Sequence, residues 1–210
     1  PKSSASILTK LNTPKDTLLY SKAMESAITL VKNNNDKVQI DSGRKYLHVN
    51  FGEDGKAFYD QLNRTNNIDS YDKDSYESLY QKTDYESIII TYHGSNSSPY
   101  NSYKIPKDVL NIIDSISLNN EVILNLFLNP YSLNSFNSLD NIESIIISYQ
   151  NSIISQEISA DLISGYRTFS GKLPVSTKFF PLNHGLSIDK KKLLSYSRPV
   201  SYTHLTLPTS

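Results

Sequence analysis

The sequence predicts an α/β fold: a mainly parallel sheet with helices on both faces. Two observations carry that expectation. Strand-like apolar blocks alternate with stretches of helical periodicity, which is the signature of strands joined by helical crossovers. The runs Ser87-Ile88-Ile89-Ile90 and Ser144-Ile145-Ile146-Ile147 also lack in/out alternation, as expected of strands covered on both faces.

In chain order, Thr13-Pro14-Lys15-Asp16 predicts a helix start. Thr caps, Pro takes the first turn and Asp sits where a capping-box acid belongs. Leu19, Ala23, Ala27 and Leu30 follow at helical spacing, and Asn33-Asn34-Asn35 ends that helix in a polar turn. Residues 46–51 read as the first strand. A helix over 55–65 places Phe58 and Leu62 at i, i+4. The second strand spans 87–92, and a helix over 106–117 carries Val109, Ile112, Ile113 and Ile116 on one stripe. Residues 122–128 form a third strand, closed by Asn129-Pro130 because Pro cannot donate to a ladder and Asn can bond the freed backbone. A fourth strand spans 144–149. The last helix, over 155–164, aligns Ile154, Ile158 and Leu162, has Glu157 in its first turn and meets a C-cap at Gly165.

Composition excludes several function classes. Lys+Arg 21 balances Asp+Glu 21, so no summed positive field draws nucleic acid or an anionic membrane. Zero cysteines remove disulfide frameworks, thiol nucleophiles and Cys-ligated metals. No apolar run approaches the roughly 20 residues needed to span a bilayer. His48, His93 and His184 are scattered without metal-ligand spacing, so neither a metal nor a cofactor is expected. The chain starts at Pro1 without Met, so the true N-terminus is expected to be missing, and the absence of a visible signal peptide says nothing about secretion. Residues 200–210 back-translate to a sequencing adaptor, and so read as a non-native tail.

In a parallel sheet, binding falls to the loops after the strands, here 52–55, 93–103 and 129–136. Gly52-Glu53-Asp54-Gly55 lacks both the G-x-G-x-x-G spacing and the Walker lysine, and its acids repel phosphate. It reads as a plain turn. His93-Gly94-Ser95-Asn96 follows the strongest strand and offers hydrogen-bonding groups suited to a sugar or another polar ligand. Gly does not flank Ser95 on both sides, so this is no nucleophile elbow. The candidate substrate-binding residues are His93, Ser95 and Asn96. The sequence offers no catalytic residue: the acids are isolated, and nothing pairs two of them as acid and base. Asn63-Arg64-Thr65 and Asn96-Ser97-Ser98 match glycosylation sequons, as expected by chance at this Asn and Ser content.

The second half has a distinctive order: Asn129-Pro130-Tyr131, Tyr149-Gln150-Asn151, Ser155-Gln156-Glu157, Gly165, Gly171-Lys172-Leu173-Pro174-Val175-Ser176, then Asn183-His184-Gly185-Leu186. It resembles the C-terminal α/β-sandwich domain of glycoside hydrolase family 3, in the β-N-acetylglucosaminidase-like branch of Bacteroidetes-type bacteria. Residues 27–33 are similar to the helix that opens this domain. The resemblance covers roughly residues 14–188 and implies a flavodoxin-like α/β sandwich. Residues 1–13 become a linker from a missing N-terminal TIM barrel, and 189–199 an exit linker toward a possible downstream serine hydrolase module. It implies a retaining hydrolase of carbohydrate or cell-wall sugars, periplasmic or extracellular. The nucleophilic Asp and the His–Asp acid/base pair of that branch lie on the barrel, and no residue matches the acid/base Glu that other branches take from this domain. The resemblance therefore implies a mainly structural domain, inactive alone.

Two alternatives remain open: a free-standing flavodoxin-like module binding a small polar ligand through the His93 loop, and an esterase on an α/β sheet, disfavoured by the missing elbow.

Overall fold

The computed structural model describes residues 14–71, 75–95 and 103–192. Helix α1 (Pro14–Ala27) leads into strand β1 (Thr29–Asn33). Then come β2 (Lys45–Gly52), α2 (Lys56–Asn63), β3 (Asn67–Ser70), β4 (Ile88–His93), α3 (Lys107–Ser117), β5 (Val122–Phe127), β6 (Ser144–Ile147) and α4 (Ile153–Ile163). The six strands form one sheet in the order β1-β6-β5-β4-β2-β3. All neighbours are parallel except β1, which runs antiparallel to β6. The five parallel strands have the order of a flavodoxin-like sheet with one antiparallel strand added at the far edge.

The isoleucine runs behave as their lack of alternation demands. Ile88, Ile90, Ile145 and Ile147 face one core, with Ile113 and Ile116 of α3. Ile89 and Ile146 face the other, with Met24 of α1, Phe58 and Leu62 of α2, and Ile158 and Leu162 of α4. Burying such a side chain contributes about 1.5–3 kcal/mol, so the two cores hold the layers together without a staple.

Three expectations are corrected. Residues 29–33, expected within a helix, are strand β1. The apparent helical spacing of Leu19, Ala23, Ala27 and Leu30 runs across a boundary, and Leu30 instead reaches the core from a strand whose register follows Ile146. The segment 27–33 is therefore not the helix implied by the resemblance. Strand β3 was not anticipated. Glu157 lies beyond the first turn of α4, because that helix begins at Ile153 with Ser152 capping through its side chain. The caps expected elsewhere are present. Asn129 accepts from the Tyr131 N–H before the 3-10 turn at Pro130–Ser135. Gly165 (φ 79) closes α4, with its own N–H on the Leu162 carbonyl and the Tyr166 N–H on that of Asp161. The expected Thr13 cap and the tail 200–210 lie outside the described residues.

Both sheet edges are partly occupied. Along β1, His184 Nε2 donates to the Val31 carbonyl (2.7 Å) and the Leu186 N–H to that of Leu30 (2.8 Å). Along β3, Tyr59 Oη donates to the Ile68 carbonyl, and Asn63 Oδ1 accepts the Ile68 N–H. Residues after α4 also return to it: the N–H groups of Lys191 and Lys192 both bond the Gly165 carbonyl.

Candidate functional site

The chain order reverses between β2 and β4, where a doubly wound sheet opens its ligand crevice beyond the strand C-termini. Gly52 and His93 face each other there in register. Among the described residues, the crevice is bordered by the 52–55 turn, residues 94–95 after β4, and residues 148–152 after β6.

The two faces of the sheet differ toward this end. On the α3 side, apolar residues continue to Phe51 and Leu126. On the α2/α4 side, His48, Asn50, Thr91, His93, Asn125 and Ser148 occupy alternate positions and form a polar strip, buried except at Asn50. Buried polar groups need partners, and α4 supplies them. Ser159 Oγ accepts from Asn125 Nδ2 (2.8 Å), and Ser148 Oγ donates to Asn125 Oδ1 (2.7 Å). In β2 and β4, Thr91 Oγ1 donates to Asn50 Oδ1 (3.0 Å), so it accepts from His48 Nε2 (2.9 Å). That fixes the proton of His48 on Nε2.

His93 is the centre of the second cluster. The residue is 1% exposed, and its ring stacks on that of Phe127 with centroids 4.2 Å apart. Nδ1 lies 2.8 Å from Asn151 Oδ1, which also accepts from Gln156 Nε2 (2.7 Å). Since a carboxamide oxygen only accepts, Nδ1 carries the imidazole proton and Nε2 is a bare acceptor. That acceptor is buried and has no hydrogen-bond partner among the described residues. It faces Gly55, where a Cβ would come within 2.6 Å of it and 2.5 Å of Asn50 Oδ1, so any larger residue would have to displace both side chains. Gln156 completes the cluster: Nε2 donates to the Asp54 carbonyl (3.0 Å) and Oε1 accepts the Phe58 N–H (3.0 Å). Asn151 and Gln156 thus tie the loops after β2, β4 and β6 to one another.

Burial pushes the His93 imidazole down to about 4, against the opposing pull of the Asn151 hydrogen bond and the Asp54 and Glu53 charges. Burial, with His93 nearby, pushes His48 to about 3. Both rings are neutral at pH 7, so neither supplies a general acid there. No group of three His, Cys, Asp or Glu able to hold a metal ion occurs among the described residues. No helix there is long and apolar enough to cross a membrane.

Of the three candidate residues, His93 is inside the domain, Ser95 is half-buried and Asn96 lies outside the described residues. The 52–55 segment is a strand-to-helix turn in which Asp54 Oδ1 accepts the Lys56 N–H (2.8 Å), an acid in the position an incoming anion would need. His184 serves the β1 edge. Asn151 and Gln156 were not anticipated as site residues. The available signal was the recurrence of polar residues at every second position toward the strand ends. Replacing Gln156 with Leu should cost about 2–3 kcal/mol in urea unfolding, because it strands the buried Phe58 N–H and the Asp54 carbonyl.

No protein-family model matches the chain, and no curated protein matches it in sequence. Solved structures do. A glycoside hydrolase family 3 β-N-acetylglucosaminidase from Paenibacillus sp. str. FPU-7 matches 84% of the chain at TM-score 0.60 and 16% identity. A family 3 β-glucosidase from Bifidobacterium adolescentis matches 77% at TM-score 0.57 and 15% identity. A fungal multi-domain family 3 β-N-acetylglucosaminidase matches 83% at TM-score 0.58 and 16% identity. The chain spans 34%, 29% and 20% of these three proteins respectively. At such identities the likeness is one of fold, and the conclusion it supports is that this chain has the α/β fold found within family 3 glycoside hydrolases.

Proposed function

We propose that this chain is the supporting α/β domain of a retaining, β-N-acetylglucosaminidase-like glycoside hydrolase, inactive alone, with residues 14–188 packed against a catalytic TIM barrel. In this reading 1–13 and 189–199 are linkers, and 200–210 is foreign. The observation that carries it is the cluster at the switch point. His93, Asn151 and Gln156 converge where a ligand would be bound, yet their hydrogen bonds join the loop bases to one another. Such a cluster holds loops and offers no acid/base pair. His93 anchors the base of the loop after β4, and in this reading Ser95 and Asn96 are the loop residues assigned to contact the sugar, where hydrogen bonds that strengthen in the transition state raise kcat.

In the full-length enzyme, Ser95→Ala with Asn96→Ala should lower kcat/KM for an aryl N-acetylglucosaminide about tenfold, the equivalent of one hydrogen bond of about 1.4 kcal/mol. An unchanged kcat/KM removes these residues from the site. Turnover of the same substrate by the isolated 210-residue chain, abolished by a point change within it, overturns the scaffold reading.

A further inference from the structure

A concavity of about 570 Å³ straddles the β3 edge of the sheet, away from the switch point. Its walls include Tyr59, Tyr71 and Tyr85, with Asp69, Ser70 and Ser78. Ser70 stands opposite His48 in register, four residues before β2 ends at Gly52, so the groove lies about 13 Å below the crevice.

Each tyrosine is held by its hydroxyl. Tyr59 donates to the Ile68 carbonyl, Tyr71 to that of Ser75 (2.5 Å), and Tyr85 to Asp69 Oδ2 (2.7 Å). The rings are therefore fixed before any ligand arrives, which lowers the ordering cost of binding. Asp69 is the charged residue of the wall, and Lys45 neutralises it on the same Oδ2 at 2.7 Å. Oδ1 has no partner among the described residues. The Tyr71 N–H points inward to the His48 carbonyl, and both Ile68 groups point outward. By the same alternation the Ser70 N–H and C=O face outward, giving one peptide donor and one acceptor at the groove. A peptide strand cannot extend the sheet along this edge, because Tyr59 and Asn63 already take the Ile68 groups.

One face of each ring is already covered, Tyr59 by His48, Tyr71 by Tyr76 and Tyr85 by the Lys45 ammonium. The remaining aromatic surface, one open carboxylate oxygen, one peptide donor and acceptor, and no unpaired charge suit a neutral ring compound that is apolar on its faces and hydroxylated at its rim. The volume lies within the range of small-ligand sites. We infer that the β3-edge groove binds a pyranose sugar, as a site separate from the switch-point crevice.

The test is titration of the isotope-labelled 210-residue chain with chitotetraose and, separately, cellotetraose, following amide shifts by NMR. The expected result with at least one sugar is a saturable, millimolar response at residues 67–71 and 85, weakened about tenfold by Asp69→Asn or Tyr85→Ala. The wild-type map needs no variant, so a Tyr85→Ala chain that fails to fold leaves the measurement decisive. No response to either sugar at about 10 mM, or shifts confined to the loops after β2, β4 and β6, overturns the inference. It does not depend on the proposed glycosidase role, and a full-length enzyme with unchanged kinetics in Asp69→Asn is compatible with it.

Discussion

Acidification from pH 8 to pH 5 should cost the folded chain about 4 kcal/mol, most of it below pH 6.5. His48 and His93 are the cause. Both are buried and neutral, and both have folded pKa values, about 3 and about 4, below the ordinary 6.5 of an unfolded histidine. The unfolded chain therefore takes up two protons that the folded chain refuses. The associated stability is fully present above the unfolded value and is lost as the pH falls toward the folded ones. Each ring accounts for about 2 kcal/mol by pH 5, from the linkage slope of roughly 1.4 kcal/mol per pH unit. The window brackets the ordinary histidine value, which makes the imidazoles its dominant titrating groups. Urea unfolding at intervals across it measures the slope. His48→Gln keeps a donor for Thr91 and should halve the loss. An undiminished slope in that variant would assign the effect elsewhere. A loss of this size is a large share of the 5–15 kcal/mol that separates folded from unfolded domains.

Gly171→Ala should cost about 3 kcal/mol, the upper end of what overpacking usually costs. A Cβ at this position would run into the Ile28 carbonyl oxygen and lie 2.7 Å from that of Ala27. Both obstacles are backbone where α1 gives way to β1, so no side chain can swing aside. Gly185 is packed in turn, since its own Cβ would meet the Gly171 carbonyl. Leu173 fastens the same segment, its N–H bonding the His184 carbonyl (2.8 Å) and its carbonyl accepting the Asn183 N–H (2.9 Å). Gly43 is the control: its nearest obstacle is 3.5 Å away, and Gly43→Ala should stay within about 0.5 kcal/mol. Urea midpoints for the two variants decide the matter, and equal midpoints would show that the strand-to-segment contact is loose.

The parallel strands β2, β4, β5 and β6 were legible because their apolar blocks are continuous and bounded by turn residues. β1 was not, since a helical spacing ran through Ala27 into Leu30 and hid the boundary. β3 was unreadable for a different reason: Asn67-Ile68-Asp69-Ser70 has one apolar residue, as an edge strand can, and its place depends on pairing with β2. Within the site, His93 stood out at the end of a strong strand. Its partner Asn151 is 58 residues away, and only the sheet order brings the two together. The Gly171–Ser176 run was visible as a motif, but which carbonyls press on Gly171 was not.

The shared Asn151 carbonyl has a dynamic consequence. Because His93 and Gln156 both donate to it, and Gln156 also grips Asp54 and the start of α2, none of the three loop bases can loosen without breaking bonds that belong to the others. Their amide protons should accordingly exchange with solvent through a single concerted opening, as one foldon, while the outer ends of α1 fray independently.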